Sequence, residues 1–330
     1  MFAIFLLGCN LASTSTTSKQ TQTDFHVGME GLTAEFSKTA QPQIVFENSN
    51  FPVLLTLRNK GAYDIKAKSG LISFGREKDY VTELKFSKND RLGTVEKDTM
   101  SFDIEGKREI NPKGDELILE LTGTAGKLDP QSENKLSTIT ATLCYPYRTL
   151  VSATACIDTD VFGTRPVKKV CSAKEIAMSN GQGAPVAVTK IVPQMVPEGD
   201  VIHPQFLIFV ENRGSGSPVN ILKYNNVCSK QDSDNKDLWN VAFLKAYIRD
   251  NKQLVCCPNF EGKCQEKETD INKFTGLIRF RDNKDFVRCF FSEGVPKNYD
   301  AFTTPLRIEI DYGYVQSYST EFFIQKPLKY

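Results

Sequence analysis

Apolar and polar residues alternate along most of this chain. Val53, Leu55 and Leu57 fall on one face of residues 51–58, and Leu117, Leu119 and Leu121 do the same in 116–122. In 136–143, Thr138, Thr140 and Thr142 take the face opposite the aliphatic residues. The second half continues the pattern with Phe206, Ile208 and Val210, then with Leu306, Ile308, Ile310 and Tyr312. A period of two with one apolar face predicts half-buried antiparallel strands. No long stretch has a helical period. A short helical turn is expected near 173–178, and residues 238–248 read equally as helix or strand.

The pattern also repeats at long range. Leu57-Arg58-Asn59-Lys60-Gly61 is answered by Val210-Glu211-Asn212-Arg213-Gly214, an offset of 153. Each ends a strand with Asn, a basic residue and Gly, which is turn chemistry. Ile139, Ala141, Leu143, Tyr145 and Tyr147 are answered by Leu306, Ile308, Ile310, Tyr312 and Tyr314, an offset of 167. Two signatures recurring in one order predict two copies of a β-module. The expected organisation is a leader and Ser/Thr-rich tether at 1–23, a first module at 24–157, a linker at 158–183 and a second module at 184–330. The extra length in the second copy is an inserted, cysteine-rich loop.

Modules of this size, rich in strands and poor in helices, predict an all-β chain of two tandem Ig-like antiparallel β-sandwich domains. The early strand-Asn-x-Gly and the late strand ending in Tyr-x-Tyr resemble Ig-like modules of the CARDB type. More loosely, the whole chain resembles archaeal surface proteins that carry such modules in tandem. That resemblance implies adhesion or scaffolding outside the cell.

Composition narrows the function classes. Of 330 residues, 41 are Lys or Arg and 40 are Asp or Glu, a net charge of +1. That balance argues against a nucleic-acid partner, which calls for a basic excess. His occurs only at His26 and His203. Neither has a Cys, Ser or acid at a catalytic spacing, and both read as surface residues. No G-x-S-x-G, H-E-x-x-H or P-loop pattern occurs. The reading is non-enzymatic, with no cofactor.

The N-terminus is apolar up to Cys9 and then turns polar, with residues 13–23 dominated by Ser and Thr. Leu6-Leu7-Gly8-Cys9 resembles the lipobox of secreted lipoproteins, where cleavage precedes a Cys whose sulfur carries lipid. The resemblance implies lipidation at Cys9 and a membrane anchor. The residues ahead of Cys9 are short for a signal and carry no basic residue, which fits a start upstream of Met1. Nine cysteines is an odd number. Setting Cys9 aside leaves eight, enough for four disulfides in an oxidising compartment.

Those eight are Cys144, Cys156, Cys171, Cys228, Cys256, Cys257, Cys264 and Cys289. Cys144 and Cys156 are read as leaving the solvent faces of two sequential strands, and so as a cross-strand bridge. Cys256 and Cys257 point to opposite sides of an extended chain and need different partners. Cys257 with Cys264 closes a local loop, and Cys256 then meets Cys289. Cys171 with Cys228 remains, tying the linker to the second module. A zinc site from Cys256, Cys257, Cys264 and Cys289 is the rival, without the usual paired spacing.

Asp232, Asp234 and Asp237 alternate as calcium-loop ligands do. However, the run lacks Gly at its sixth position and has Phe243 where an EF-hand needs Glu, so a polar loop is favoured. Tyr145, Tyr147, Tyr312 and Tyr314 continue the inward parity of their strands and are read as core. The candidate binding surface is the insertion at 258–275 with Phe260, beside Phe290 and Phe291, which point to opposite faces.

The function expected is an exported, membrane-anchored structural or adhesive surface protein. Its partner is a macromolecule or further copies of itself. The alternatives are a filament subunit joined by strand or loop contacts, and a surface hydrolase using paired carboxylates.

Overall fold

The computed structural model describes residues 25–96, 98–166, 168–229, 234–249, 251–258 and 276–327. The chain is all-β, with sheets packed as sandwiches, as the alternation predicts. Its first half runs β1 (Leu32–Phe36), β2 (Ile44–Phe46), β3 (Asn50–Asn59), β4 (Ile65–Arg76), β5 (Val81–Phe86), β6 (Leu92–Glu96), β7 (Thr99–Ile104), β8 (Glu116–Ala125) and β9 (Asn134–Ile157). The short β10 (Ile176–Ala177) stands where a helical turn is expected, a correction to that reading. The second half runs β11 (Val186–Glu198), β12 (Val201–Asn212), β13 (Ser217–Val219), α1 (Tyr224–Cys228), β14 (Val241–Ile248), β15 (Lys252–Gln253), β16 (Val255–Pro258), β17 (Gly276–Arg279), β18 (Lys284–Phe290), β19 (Val295–Pro296) and β20 (Phe302–Gln325). The ambiguous stretch at 238–248 is thus mainly strand, β14, preceded by a single 3-10 turn at Lys236–Leu238.

Among the described residues the strands form three sheets. One has the order β1-β3-β8-β5 and another the order β10-β11-β12-β18-β16. The third, ten-stranded, runs through both halves with the path β15-β14-β20-β9-β4-β7-β6. Its spine is the pairing of β9 with β20, antiparallel over all 24 residues of each strand. Apolar side chains of both halves face one side of this sheet and form a single buried cluster.

The spine gives the sequence repeat a geometric meaning. Pro146 pairs with Gly313, and these residues differ by the same 167 that separates the repeats. Equivalent residues therefore lie on opposite sides of a local two-fold axis through that pair, as in an isologous dimer interface. Tyr147 pairs with Tyr312, and Tyr145 with Tyr314. Their rings close a square around the axis. Centroids are 5.7 Å apart for Tyr145–Tyr147, 5.8 Å for Tyr145–Tyr314, 6.2 Å for Tyr147–Tyr312 and 6.1 Å for Tyr312–Tyr314. All four are buried, and aromatic pairs at this spacing add about 0.5–1.5 kcal/mol each beyond their area.

Residues leading into the second half are packed inside. Gln182, Gly183 and Ala184 are buried. The Gln182 amide donates to Val188 O at 3.1 Å and accepts from Val188 N at 2.9 Å, so a side chain takes the part of a strand partner.

Two expected disulfides are corrected. Cys144 and Cys156 lie on one continuous strand, β9, and twelve strand residues span about 40 Å, so they cannot bridge. Cys144 instead pairs with Cys228 on α1, which lies over the sheet's outer face. Cys156 pairs with Cys171, so the segment after β9 is tied back to the strand it leaves and not to Cys228. Cys256 pairs with Cys289, directly opposite it across β16 and β18. Cys257 is also disulfide-bonded. Cys9 and Cys264 lie outside the described residues.

Candidate functional site

The residues named from sequence do not converge on one patch. Phe260 lies outside the described residues. Phe291 is 4% exposed and belongs to the core, with Lys252 Nζ 5.5 Å from its ring centre, so it offers no free surface. Phe290 is half-buried. Asp232 lies outside the described residues. Asp234 and Asp237 flank Asn235, whose Oδ1 accepts from Asp237 N at 3.1 Å to cap the 3-10 turn. No cluster of three metal-ligating side chains occurs among the described residues. His203 is not a plain surface residue. Its side chain is 19% exposed, its Nδ1 lies 3.1 Å from Phe291 O, and its Nε2 lies 3.4 Å from Glu198.

Paired carboxylates for hydrolysis need one carboxyl held protonated by its surroundings. Among the described residues the displaced carboxyls, Asp64, Asp160 and Glu211, all move the other way. Burial pushes the Asp64 carboxyl up, but the Gly106 N–H at 2.8 Å and the cations Lys66 and Arg108 hold it below the usual range. At Glu211 the burial effect is outweighed by Arg213 at 3.0 Å and Lys284 at 3.2 Å.

Two features do present recognition chemistry. The first is the loop between Cys156 and Cys171. Its disulfide closes the base, and Asp160 organises the inside. The Asp160 carboxylate accepts from Thr164 N at 2.9 Å, Thr164 Oγ1 at 3.1 Å and Arg165 N at 3.2 Å. Arg165 also reaches out of the loop to Tyr299 O at 2.7 Å. On this fixed frame Phe162 is 76% exposed and Val170 79% exposed. A preorganised loop loses little entropy on binding, and aromatic residues are enriched at protein interfaces. No sequence pattern marks Phe162, because its prominence depends on the Cys156–Cys171 pairing.

The second feature is a half-open groove of about 520 Å³ beside β9. His26 and Val27 flank it on one side, Met178 and Asn180 on another, and Leu150 and Arg307 on the shared sheet. Val27 and Leu150 are each more than a third exposed. No Asp or Glu lines it.

No protein-family model matches the chain, and no curated protein matches it. Solved structures similar to it include domains of bacterial proteins. One is the C-terminal domain of the Streptococcus agalactiae AgI/II polypeptide BspA, 8% identical, covering 89% of this chain and 98% of that one, with a TM-score of 0.20. Another is the C-terminal domain of the Streptococcus pyogenes antigen I/II-family protein AspA, 9% identical, covering 91% and 100%, with a TM-score of 0.19. A third is the Enterococcus faecalis MSCRAMM ACE, 8% identical, covering 89% and 94%, with a TM-score of 0.16. At these scores the likeness carries no argument about ancestry or function.

Proposed function

We propose that this chain is an exported structural or adhesive surface protein, held at the membrane by lipid on Cys9, whose modules bind without catalysis. The modules are read as Ig-like domains of the CARDB type at 24–157 and 184–330, joined by 158–183. The observation that carries the reading is the disulfide-closed loop that presents Phe162 and Val170 on a rigid base. Disulfides of this kind persist in oxidising compartments, which supports export. No helix among the described residues is long and apolar enough to cross a membrane.

The experiment is fractionation of cells expressing the protein and its Cys9→Ser variant, paired with an adhesion assay on Phe162→Ser. Release of Cys9→Ser from the membrane fraction supports the anchor. Retention of the unprocessed variant overturns it. Weaker surface or self-association by Phe162→Ser at unchanged melting temperature supports the binding role. Turnover of a glycoside or peptide substrate by the purified chain overturns the non-catalytic reading.

A further inference from the structure

The sequence contains a single Asn-Gly step, Asn180-Gly181, and both residues line the half-open groove beside β9. Asn180 is exposed, so solvent reaches its side-chain amide. Every other asparagine is followed by a residue with a Cβ, which crowds the approach of the next amide nitrogen to the asparagine side chain. Glycine leaves that path open. Asn59 and Asn212 are restrained further, because tyrosine hydroxyls hold their Oδ1 atoms at 3.2 Å and 3.1 Å. At Asn180 the local contacts favour attack. Ser179 Oγ donates to Asn180 Oδ1 at 3.2 Å, which draws electrons from Cγ and supports the negative charge that grows on that oxygen. The Gly181 N–H, the nitrogen that must attack, takes part in no hydrogen bond among the described residues.

The same step clasps residues 25–28. Gly28 N donates to Asn180 O at 2.9 Å, and Gly183 N donates to Gly28 O at 2.8 Å, so Gly28 is held from both sides of Gly181. Gly28 and Gly181 form a parallel bridge. Gly181 has a φ of +69°, and a Cβ there would overlap Gly28 O. The clasp itself therefore requires glycine at 181, which leaves Asn180 beside the one kind of neighbour that exposes it to attack.

We propose that Asn180 is a self-modification site, converted by water to aspartate and isoaspartate, and that the isoaspartate form releases residues 25–28. The Gly181 nitrogen gives up its proton and forms a bond to Asn180 Cγ. The bond from Cγ to Nδ2 breaks, and ammonia leaves with that proton. The five-membered imide that remains then takes up one water. Opening at Cγ gives aspartate with the main chain as before. Opening at the main-chain carbonyl gives isoaspartate, in which the chain runs through Cβ and Cγ. Nothing is oxidised or reduced. Both products place a carboxylate in a groove that no Asp or Glu lines. Only isoaspartate also adds a methylene to the main chain and moves Asn180 O onto a free carboxylate, so that Asn180 O and Gly183 N no longer hold Gly28 together. The proposal goes beyond the adhesive reading and stands without it.

The test incubates the full chain, folded and at neutral pH, beside the same chain unfolded in urea, with heavy oxygen in the water. Peptide mapping of the folded chain is expected to show loss of the Asn180 amide, uptake of one heavy oxygen at that residue and release of one ammonia per converted chain. An isoaspartate-specific methyltransferase is expected to label the same peptide. Asn180→Gln, which needs a six-membered ring for the same attack, is expected to stay unconverted over that time. Limited proteolysis reads the second half of the proposal. The isoaspartate-containing chain is expected to be nicked within 25–28, while fresh protein and Asn180→Asp, whose main chain is unaltered, resist. A folded chain that keeps its Asn180 amide while the unfolded chain loses it overturns the modification, because the fold then shields the step. Isoaspartate protein that resists the protease as fresh protein does overturns the release. Nicking of Asn180→Asp as fast as the isoaspartate form overturns the main-chain cause assigned to it.

Discussion

The Tyr147 hydroxyl donates to Asn59 Oδ1 at 3.2 Å inside the first half of the molecule. The same contact recurs in the second half, where the Tyr314 hydroxyl donates to Asn212 Oδ1 at 3.1 Å. Each Asn amide also donates to a carbonyl four residues on, Asn59 to Tyr63 at 2.8 Å and Asn212 to Gly216 at 2.9 Å. The glycine two positions after each Asn is a matter of space. A Cβ on Gly61 falls 1.8 Å from Tyr147 Oη, and one on Gly214 falls 2.2 Å from Tyr314 Oη. The two sequence repeats, Asn-x-Gly early and Tyr-x-Tyr late, are thus the two sides of one clamp between the sandwich sheets.

Breaking that clamp has a defined cost. Asn59→Ala or Asn212→Ala takes away the amide oxygen that accepts from a buried tyrosine hydroxyl and the donor to a loop carbonyl, and each is expected to cost about 1–3 kcal/mol by chemical denaturation. Gly61→Ala is expected to do more damage than either, since the tyrosine must leave its place. A Gly61→Ala protein as stable as the natural one contradicts the clamp.

Strand content, the inward tyrosines and the duplication were legible because each rests on a local period or a repeated signature. What joins the halves was not. The pairing of Tyr147 with Tyr312 links strands far apart in sequence, and alternation says nothing about which strands become neighbours. Nor does it show where a strand ends. Residues 136–143 and 151–157 belong to the single strand β9, which is why Cys144 and Cys156 looked like partners.

The cysteine pairing is open to direct mapping. Proteolysis without reductant is expected to yield peptides joining Cys144 to Cys228, Cys156 to Cys171, and Cys256 to Cys289. A peptide joining Cys144 to Cys156 contradicts the fold. Replacing both Cys144 and Cys228 by Ser opens a long loop and is expected to cost about 2–5 kcal/mol.

The exposed loop behaves differently under mutation. Phe162 is 76% exposed, so Phe162→Ser removes little buried area and is expected to change stability by less than about 0.5 kcal/mol. Removing the frame by Cys156→Ser with Cys171→Ser is expected to weaken association as much as Phe162→Ser, because the anchor is then no longer preorganised. Proteolytic nicking within 158–170 in the double variant, absent in the natural protein, reports the loss of that frame.

The tyrosine square sets the response to alkali. Burial raises the phenols of Tyr145 and Tyr312 well above their ordinary value, and burial likewise raises Tyr147 and Tyr314. A phenol whose folded pKa lies above its unfolded value binds its proton more tightly in the folded state. Its contribution is therefore complete below the unfolded pKa of about 10 and is lost as pH rises from there toward the folded value. Stability is expected to be flat with respect to these groups at neutral pH and to fall steeply above about pH 10. The chain has eleven tyrosines. The four rings of the square are expected to ionise only in a step that coincides with loss of the folded circular dichroism signal. Smooth, reversible ionisation of all eleven near pH 10, with the fold intact, contradicts a closed square at the axis.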